Sequence, residues 1–321
     1  MTDDESYGTT THLGTTTHLG TTTHLDSTTH LDSTAGLLTM IGHQLGSRLG
    51  RVAPPSRRPA TPNRPALVLV AHGSRNPLAL ATVTALAERV RAQRPELDVR
   101  LGHIELNEPL LSDTLADLPP GHGTSTDAAA FPDAILVPLL LSRGHHVKHD
   151  IPEAAAAADH LVTRVAAPLG PHPLLAEALH DRLTEAGWPA APTRRTGVVL
   201  AAAGSRDPDA ATDTRRTAAL LARRLGVPVV PAYASAATPD VRTAVRALAA
   251  RGRTRTAVAS YFTAPGRFAT ETSAAAPGVA AAPLGDHPSL ARLILHRYDS
   301  ALAGVHAAAT STGPAPRLAT A

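Results

Sequence analysis

The chain has 321 residues, enough for two domains of ordinary size. It contains no cysteine, which excludes a disulfide framework and thiolate chemistry, and only 2% aromatic residues, which argues against stacking platforms for single-stranded nucleic acid. Its 30 Lys and Arg face 27 Asp and Glu for a formal charge of +3, so the pI near 9.8 marks no nucleic-acid footprint.

No apolar run approaches the ~18 residues that a membrane helix needs. The acidic, Thr-rich start is unlike a secretory leader. A cytoplasmic protein that binds neither nucleic acid nor membrane is expected.

Residues 1–64 are expected to stand outside the fold. TTTHLG, TTTHLG, TTTHLD and STTHLD follow one another and place His12, His18, His24 and His30 at a six-residue period. Such a segment has little apolar surface to bury and is expected to be disordered. Leu37 to Leu49 has the pattern of a short amphipathic helix, and Pro54, Pro55, Pro59, Pro62 and Pro65 make a stiff linker. The repeat suits either loose metal capture or a slippage tract without a role, and composition favours the second.

Residues 65–192 alternate strands and helices. Leu67–Ala71 reads as a strand, Pro77–Gln93 as a helix, Val99–Ile104 as a strand and Glu108–Leu118 as a helix. After a Gly/Ser/Thr loop from Pro119 to Pro132, Ile135–Leu140 is an unbroken apolar run of the kind found in buried parallel strands. Asp150–Ala158 reads as a helix, with Asp150 placed to cap it and Pro152 in its first turn. Leu161–Ala167 and Pro173–Ala186 complete the series. Regular alternation of this kind predicts a parallel sheet with helices on both faces.

Two of these strands end in histidines. The first runs into His72-Gly73-Ser74-Arg75, and the buried one into Ser142-Arg143-Gly144-His145-His146-Val147-Lys148-His149. Glu105 lies at the end of a third. Open α/β sheets bind ligands at the carboxyl ends of their strands. Two neutral imidazoles and a carboxylate meeting there suit a divalent metal ion. Glu108 is the better helix N-terminal acid, which leaves Glu105 for chemistry. Arg143 and Lys148 are expected to be solvated surface cations.

Residues 193–305 repeat the first half. TGVVLAAAGSRDPD (Thr196 to Asp209) answers ALVLVAHGSRNP, and the GSR triplet recurs 131 residues on, from Gly73 to Gly204. APLGPHPLLAEAL at Ala167 returns as APLGDHPSLARLI at Ala282, so His172 and His287, each ahead of a helix, are assigned a structural role. Thr256–Phe262 stands for the buried central strand. The copies differ at the histidines: Ala203 replaces His72, and Ala264 to Arg267 replace the His145-His146 segment. A scaffold that folds without these histidines argues that they serve function in the first half. Residues 306–321 are expected to be a disordered tail.

LVLVAHGSR (Leu67 to Arg75), IELNEP (Ile104 to Pro109) and VPLLLSRGHHVKHDIP (Val137 to Pro152) resemble the sirohydrochlorin chelatases, over roughly Pro65 to Leu302. The resemblance implies an α/β protein of two similar doubly wound parallel-sheet domains from an internal duplication, with the active site in the cleft between them. It places His72, His146 and Glu105 at the family's metal-handling positions, and selects His146 over His145 by its place after Gly144 and before Val147. Ser74, Arg75, His145 and His149 are then candidates for partners of these ligands or for substrate contacts. The implied reaction inserts Fe²⁺, or Co²⁺, into sirohydrochlorin without ATP; the ion is a substrate and no cofactor is permanently bound. A monomer with two pseudo-symmetric domains is expected. The alternative is a non-enzymatic Co/Ni/Fe carrier using the same histidines. A duplicated binding module without metal would leave the one-sided loss of histidines unexplained.

Overall fold

The computed structural model describes residues 64–120 and 131–311, with side chains described as far as residue 305. The Thr/His repeat, the Leu37–Leu49 segment and the proline linker lie outside the described residues. Sixteen elements follow in chain order. The first half contains β1 (Ala66–Ala71), α1 (Pro77–Gln93), β2 (Val99–His103), α2 (Leu111–Ala116), β3 (Ala134–Pro138), α3 (His145–Lys148), α4 (Asp150–Ala157), β4 (Thr163–Val165) and α5 (Pro173–Glu185). The second contains β5 (Thr196–Ala202), α6 (Pro208–Leu225), β6 (Val229–Tyr233), α7 (Val241–Ala250), β7 (Arg255–Tyr261), α8 (Arg267–Ala274) and α9 (Pro288–Ser311).

All pairings between these strands are parallel. The first sheet has the order β2-β1-β3-β4 and the second β6-β5-β7. The chain moves from β1 to β2 on one side and then returns to β3 on the other, and in the second sheet from β5 to β6 and back to β7, so the strand order reverses beside β1 and beside β5. That switch point leaves a crevice at the carboxyl ends of β1 and β3.

The local sequence explains the elements. β1 is six consecutive buried residues, ALVLVA, because both of its faces and both of its edges are covered. Asn76 caps α1, its Oδ1 accepting from Leu78 N at 3.0 Å with Pro77 in the first turn, and Asp207 caps α6 in the same way ahead of Pro208. α2 is shorter than the helix expected over Glu108–Leu118. Pro109 gives its carbonyl to His103 N–H at 3.0 Å, so the chain from Ile104 to Leu110 is committed to the edge of β2. α9 continues to Ser311, past the domain end expected at residue 305. Among the described residues no helix is long and apolar enough to cross a membrane.

The core is built of Leu, Val and Ala in three clusters. One lies outside the first sheet under α2 and α4, and another outside the second under α7. The largest lies between the sheets and draws on both halves, from Leu67, Leu69 and Val137 to Val198, Leu200 and Ala259. The helices that close this layer are exchanged. α5, the last helix of the first half, packs on α6 and β7 of the second; α9, the last of the second, packs on α1 and β3 of the first. The expected pair of similar domains is present, but each needs the other's closing helix to cover its inner face.

Candidate metal-handling site

β1 delivers His72, and the residue after it decides where the side chain goes. Gly73 has φ +100°, and a Cβ built on it would lie 1.7 Å from the Glu105 carbonyl oxygen. Only glycine allows the ends of β1 and β2 to cross so closely. The ladder then carries on beyond the strands: Ile104 N–H donates to Ala71 O at 2.9 Å and Glu105 N–H to His72 O at 3.1 Å. His72 Nδ1 ends 3.4 Å from Glu105 Oε1. Gly204, at φ +92°, repeats the crossing in the second half, beside Ala203 in place of the histidine.

β3 delivers the other histidines. They were expected on an open loop, but His145–Lys148 forms the single helical turn α3, closed by Lys148 N–H to Gly144 O at 3.2 Å. The turn stacks His146 edge-on to His72, with ring centroids 4.5 Å apart. It also puts His146 four residues before Asp150. The Asp150 carboxylate, expected as a helix cap, instead meets His146 Nδ1, while Asp150 lies inside α4 and no side chain caps that helix. This engages one ring nitrogen of His146 and leaves Nε2 for an ion.

The structure thus brings His146 and Glu105 each beside His72. His145 stands apart: its side chain is 72% exposed against 34% for His146, and its ring is 6.2 Å from that of His146. His149 stacks on His145 with ring centroids 4.6 Å apart. Ser74 Oγ accepts from Asn76 N at 3.1 Å and its own N–H donates to Asn107 Oδ1 at 2.7 Å, so it shapes the entry to α1. Arg75 lines the cavity mouth and meets no carboxylate among the described residues. Glu108 accepts from Leu110 N at 3.3 Å just ahead of α2. Among the described residues no three His, Asp or Glu side chains close around a common point as a metal cage. The arrangement is an open one.

Two features escaped sequence reasoning. Arg143 and Lys148 are not free surface cations but part-exposed members of ion pairs: Arg143 Nη2 lies 2.7 Å from Asp213 Oδ1, and Lys148 Nζ 2.6 Å from Asp207 Oδ2. Burial alone would raise the Asp213 carboxyl, but the bonds and charge of Arg143 outweigh it and hold that carboxyl below its ordinary range. Lys148 holds Asp207 low in the same way, and both cations are raised in return. The second feature is His103, at the end of β2 and 1% exposed; its Nδ1 faces Pro109 O at 3.1 Å and its Nε2 has no hydrogen-bond partner among the described residues.

A cavity of about 680 Å³ opens between the two halves, within the range of small-molecule pockets. His72 and His146 line it, with an apolar wall that includes Leu80, Val83, Leu106 and Phe262. Tyr261 and Thr263 tie its two sides together, Tyr261 Oη donating to Leu141 O at 2.8 Å and Thr263 Oγ1 to Leu139 O at 3.1 Å. Burial pushes the Tyr261 hydroxyl up, so it remains a donor.

Comparison with known proteins places this arrangement among relatives. The family model described as CbiX matches residues 66–186 and 197–301. A sirohydrochlorin ferrochelatase of Bacillus subtilis is 30% identical over 182 residues, 55% of this chain and 66% of the relative. A sirohydrochlorin cobaltochelatase of Methanococcus aeolicus is 34% identical over 88 residues, 27% of this chain and 56% of the relative. The chain therefore spans about half to two thirds of the length of these curated relatives. The solved structure of SirB from Bacillus subtilis with Fe³⁺ superposes with a TM-score of 0.62 at 25% identity, over 76% of this chain and 98% of that one. A structure titled as CbiX, the terminal enzyme for biosynthesis of siroheme in denitrifying bacteria, shares the fold at 23% identity and TM-score 0.55, over 74% of this chain and 99% of that one.

Proposed function

The chain belongs to the CbiX family, and on that premise we propose that it is a sirohydrochlorin chelatase, inserting a divalent metal ion into the tetrapyrrole with release of two protons and without a nucleotide. The observation that supports this best is the meeting of His72 and His146 at 4.5 Å on the wall of a cavity between the halves, with Glu105 3.4 Å from His72. The names of the relatives supply the substrate class.

The geometry suits each step. His146, oriented by Asp150 through Nδ1, offers Nε2 to the incoming ion, and the carboxylate behind the ring strengthens it as a ligand. His72 stands opposite. Two imidazoles form a borderline-soft, incomplete coordination set that holds an ion and can release it, where a closed four-ligand site would keep it. The apolar wall takes the face of the macrocycle and removes water from it. The two pyrrole N–H groups must lose their protons as the metal–nitrogen bonds form. Glu105, half exposed and 3.4 Å from His72, serves as the third ligand or as the acceptor of those protons, which it can pass to water. Neither GxxxxGK[ST] nor GxGxxG follows a strand, which supports a reaction without nucleotide.

Both Fe²⁺ and Co²⁺ suit these ligands. Fe²⁺ is placed first because siroheme is the more general need; the curated relatives include cobaltochelatases as well as a ferrochelatase. The test is anaerobic incubation of the full chain with sirohydrochlorin and either ion, following loss of the metal-free absorption spectrum. Wild type is expected to accelerate insertion, and His146→Ala with an unchanged Tm is expected to fall to the protein-free rate. An active His146→Ala variant would remove His146 from the mechanism. No acceleration by wild type with either ion would favour the metal-carrier reading.

A further inference from the structure

The turn that carries the histidines is gripped from the other half. Arg143, three residues before His146, donates from Nε and Nη2 to the two carboxylate oxygens of Asp213 at 2.9 and 2.7 Å, and its backbone N–H reaches Oδ2 at 3.0 Å. Asp213 lies on α6 and is fully buried. Lys148, two residues after His146, reaches Asp207 at 2.6 Å and Asp209 at 2.9 Å, at the start of the same helix. His146 thus sits between two cations held by acids of the half that lacks counterparts of the site histidines.

The grip is one-sided. By the spacing from Gly73 to Gly204, Asp207, Asp209 and Asp213 correspond to Asn76, Leu78 and Thr82. Counted from Gly144 and Gly266, which precede α3 and α8, Arg143 and Lys148 correspond to Pro265 and Thr270. The same scaffold folds without cations or acids at these places in the other copy. The charged pairs occur only where histidines occur.

Resting on the chelatase reading, we propose that Arg143 is a positioning residue for His146, and that the contribution of the second half to the site is to hold the histidine turn against His72. A planar guanidinium bonded at two points to a buried carboxylate fixes angle as well as distance, which an ammonium does not. Lys148 steadies the other end of the turn.

The test uses the full chain in two variants. Arg143→Met/Asp213→Leu removes the pair without leaving a buried charge alone; Arg143→Lys keeps the charge and loses the fork. Readouts are Tm, amide hydrogen exchange across residues 142–150, and kcat and KM for sirohydrochlorin. The double variant is expected to keep a Tm near wild type while exchange in that segment rises about tenfold and the strands stay protected. Its kcat is expected to fall about tenfold or more with KM little changed, and Arg143→Lys is expected to lie between. Unchanged exchange across 142–150 overturns the proposal, whether or not wild type acts on sirohydrochlorin, so a failed chelatase assay is read separately. Faster exchange with an unaltered kcat overturns it too. Should the double variant not fold, Arg143→Lys decides by the same readouts.

Discussion

Asp150 is the residue whose role changed most between sequence and structure. A carboxylate just before a run of alanines reads as a helix cap, and only the helical turn at His145–Lys148 brings it back onto His146 Nδ1. The proposed ligands themselves were legible because each follows a strand, at a sheet edge that exposes it. Their partners were not. Asp213 lies 70 residues from Arg143, and nothing local in either segment announces the other. His103 sits in a strand whose alternation marks it as inward-facing, but its unpartnered Nε2 is visible only in the fold. The expected outcome for Asp150→Asn is a fall of about 10–100-fold in metal affinity or turnover, since the ring keeps a neighbour but loses the carboxylate that orients it. Co²⁺ titration of the full chain checks this apart from the chelatase assay, and an unchanged affinity would leave Asp150 without that role.

Among the elements, the two PLGxHP segments show what a repeated histidine does when it is structural. His172 Nδ1 accepts from Leu174 N and His287 Nδ1 from Ser289 N, each at 3.2 Å, so both cap the helix that follows. Repetition in both copies signalled that role from the sequence. Burial lowers both histidines below their ordinary pKa, aided at His172 by Arg297 and His296 and at His287 by Arg182. Each cap works only as neutral imidazole. The unfolded chain takes up these protons first as pH falls, so the stability from the caps is complete above the unfolded value near 6.5 and is lost as pH drops toward the lowered folded values. Tm is therefore expected to decline from about pH 7.5 to about pH 5.5. His172→Asn/His287→Asn, which keeps a capping acceptor that does not titrate, is expected to flatten that decline while costing about 1 kcal/mol or less at neutral pH. An equally steep decline in the variant would assign the pH dependence elsewhere. Element boundaries were less legible than element types: the 104–110 excursion shortens α2, because it is held by bonds to β1 and His103 that lie outside any local pattern.

For the whole molecule, the duplication and the parallel sheets could be read from the strand patterns and the recurring GSR and PLGxHP segments. The exchange of α5 and α9 could not, because two helices of similar amphipathic character fit either sheet equally well on paper. Its consequence is that residues 65–192 are not a self-sufficient domain. Without α9 the inner face of β1 and β3 is open, and α5 has lost α6 and β7, its own support. The isolated first half is expected to run as a dimer, in which two copies exchange α5, or to precipitate. Size-exclusion chromatography with light scattering checks this; a folded, soluble monomer would show that the shared layer is dispensable.

The same exchange sets a schedule for synthesis. Tyr298 Oη donates to the Pro65 carbonyl at 2.8 Å, across 233 residues of chain. The first strand leaves the ribosome long before the helix that covers it has been translated. The apolar inner face of the first sheet must stay solvated or shielded until α9 arrives, so native closure is a post-translational event. A nascent chain halted anywhere before Pro288 carries that face uncovered, and would be a substrate for chaperones and proteases rather than a shorter version of the protein.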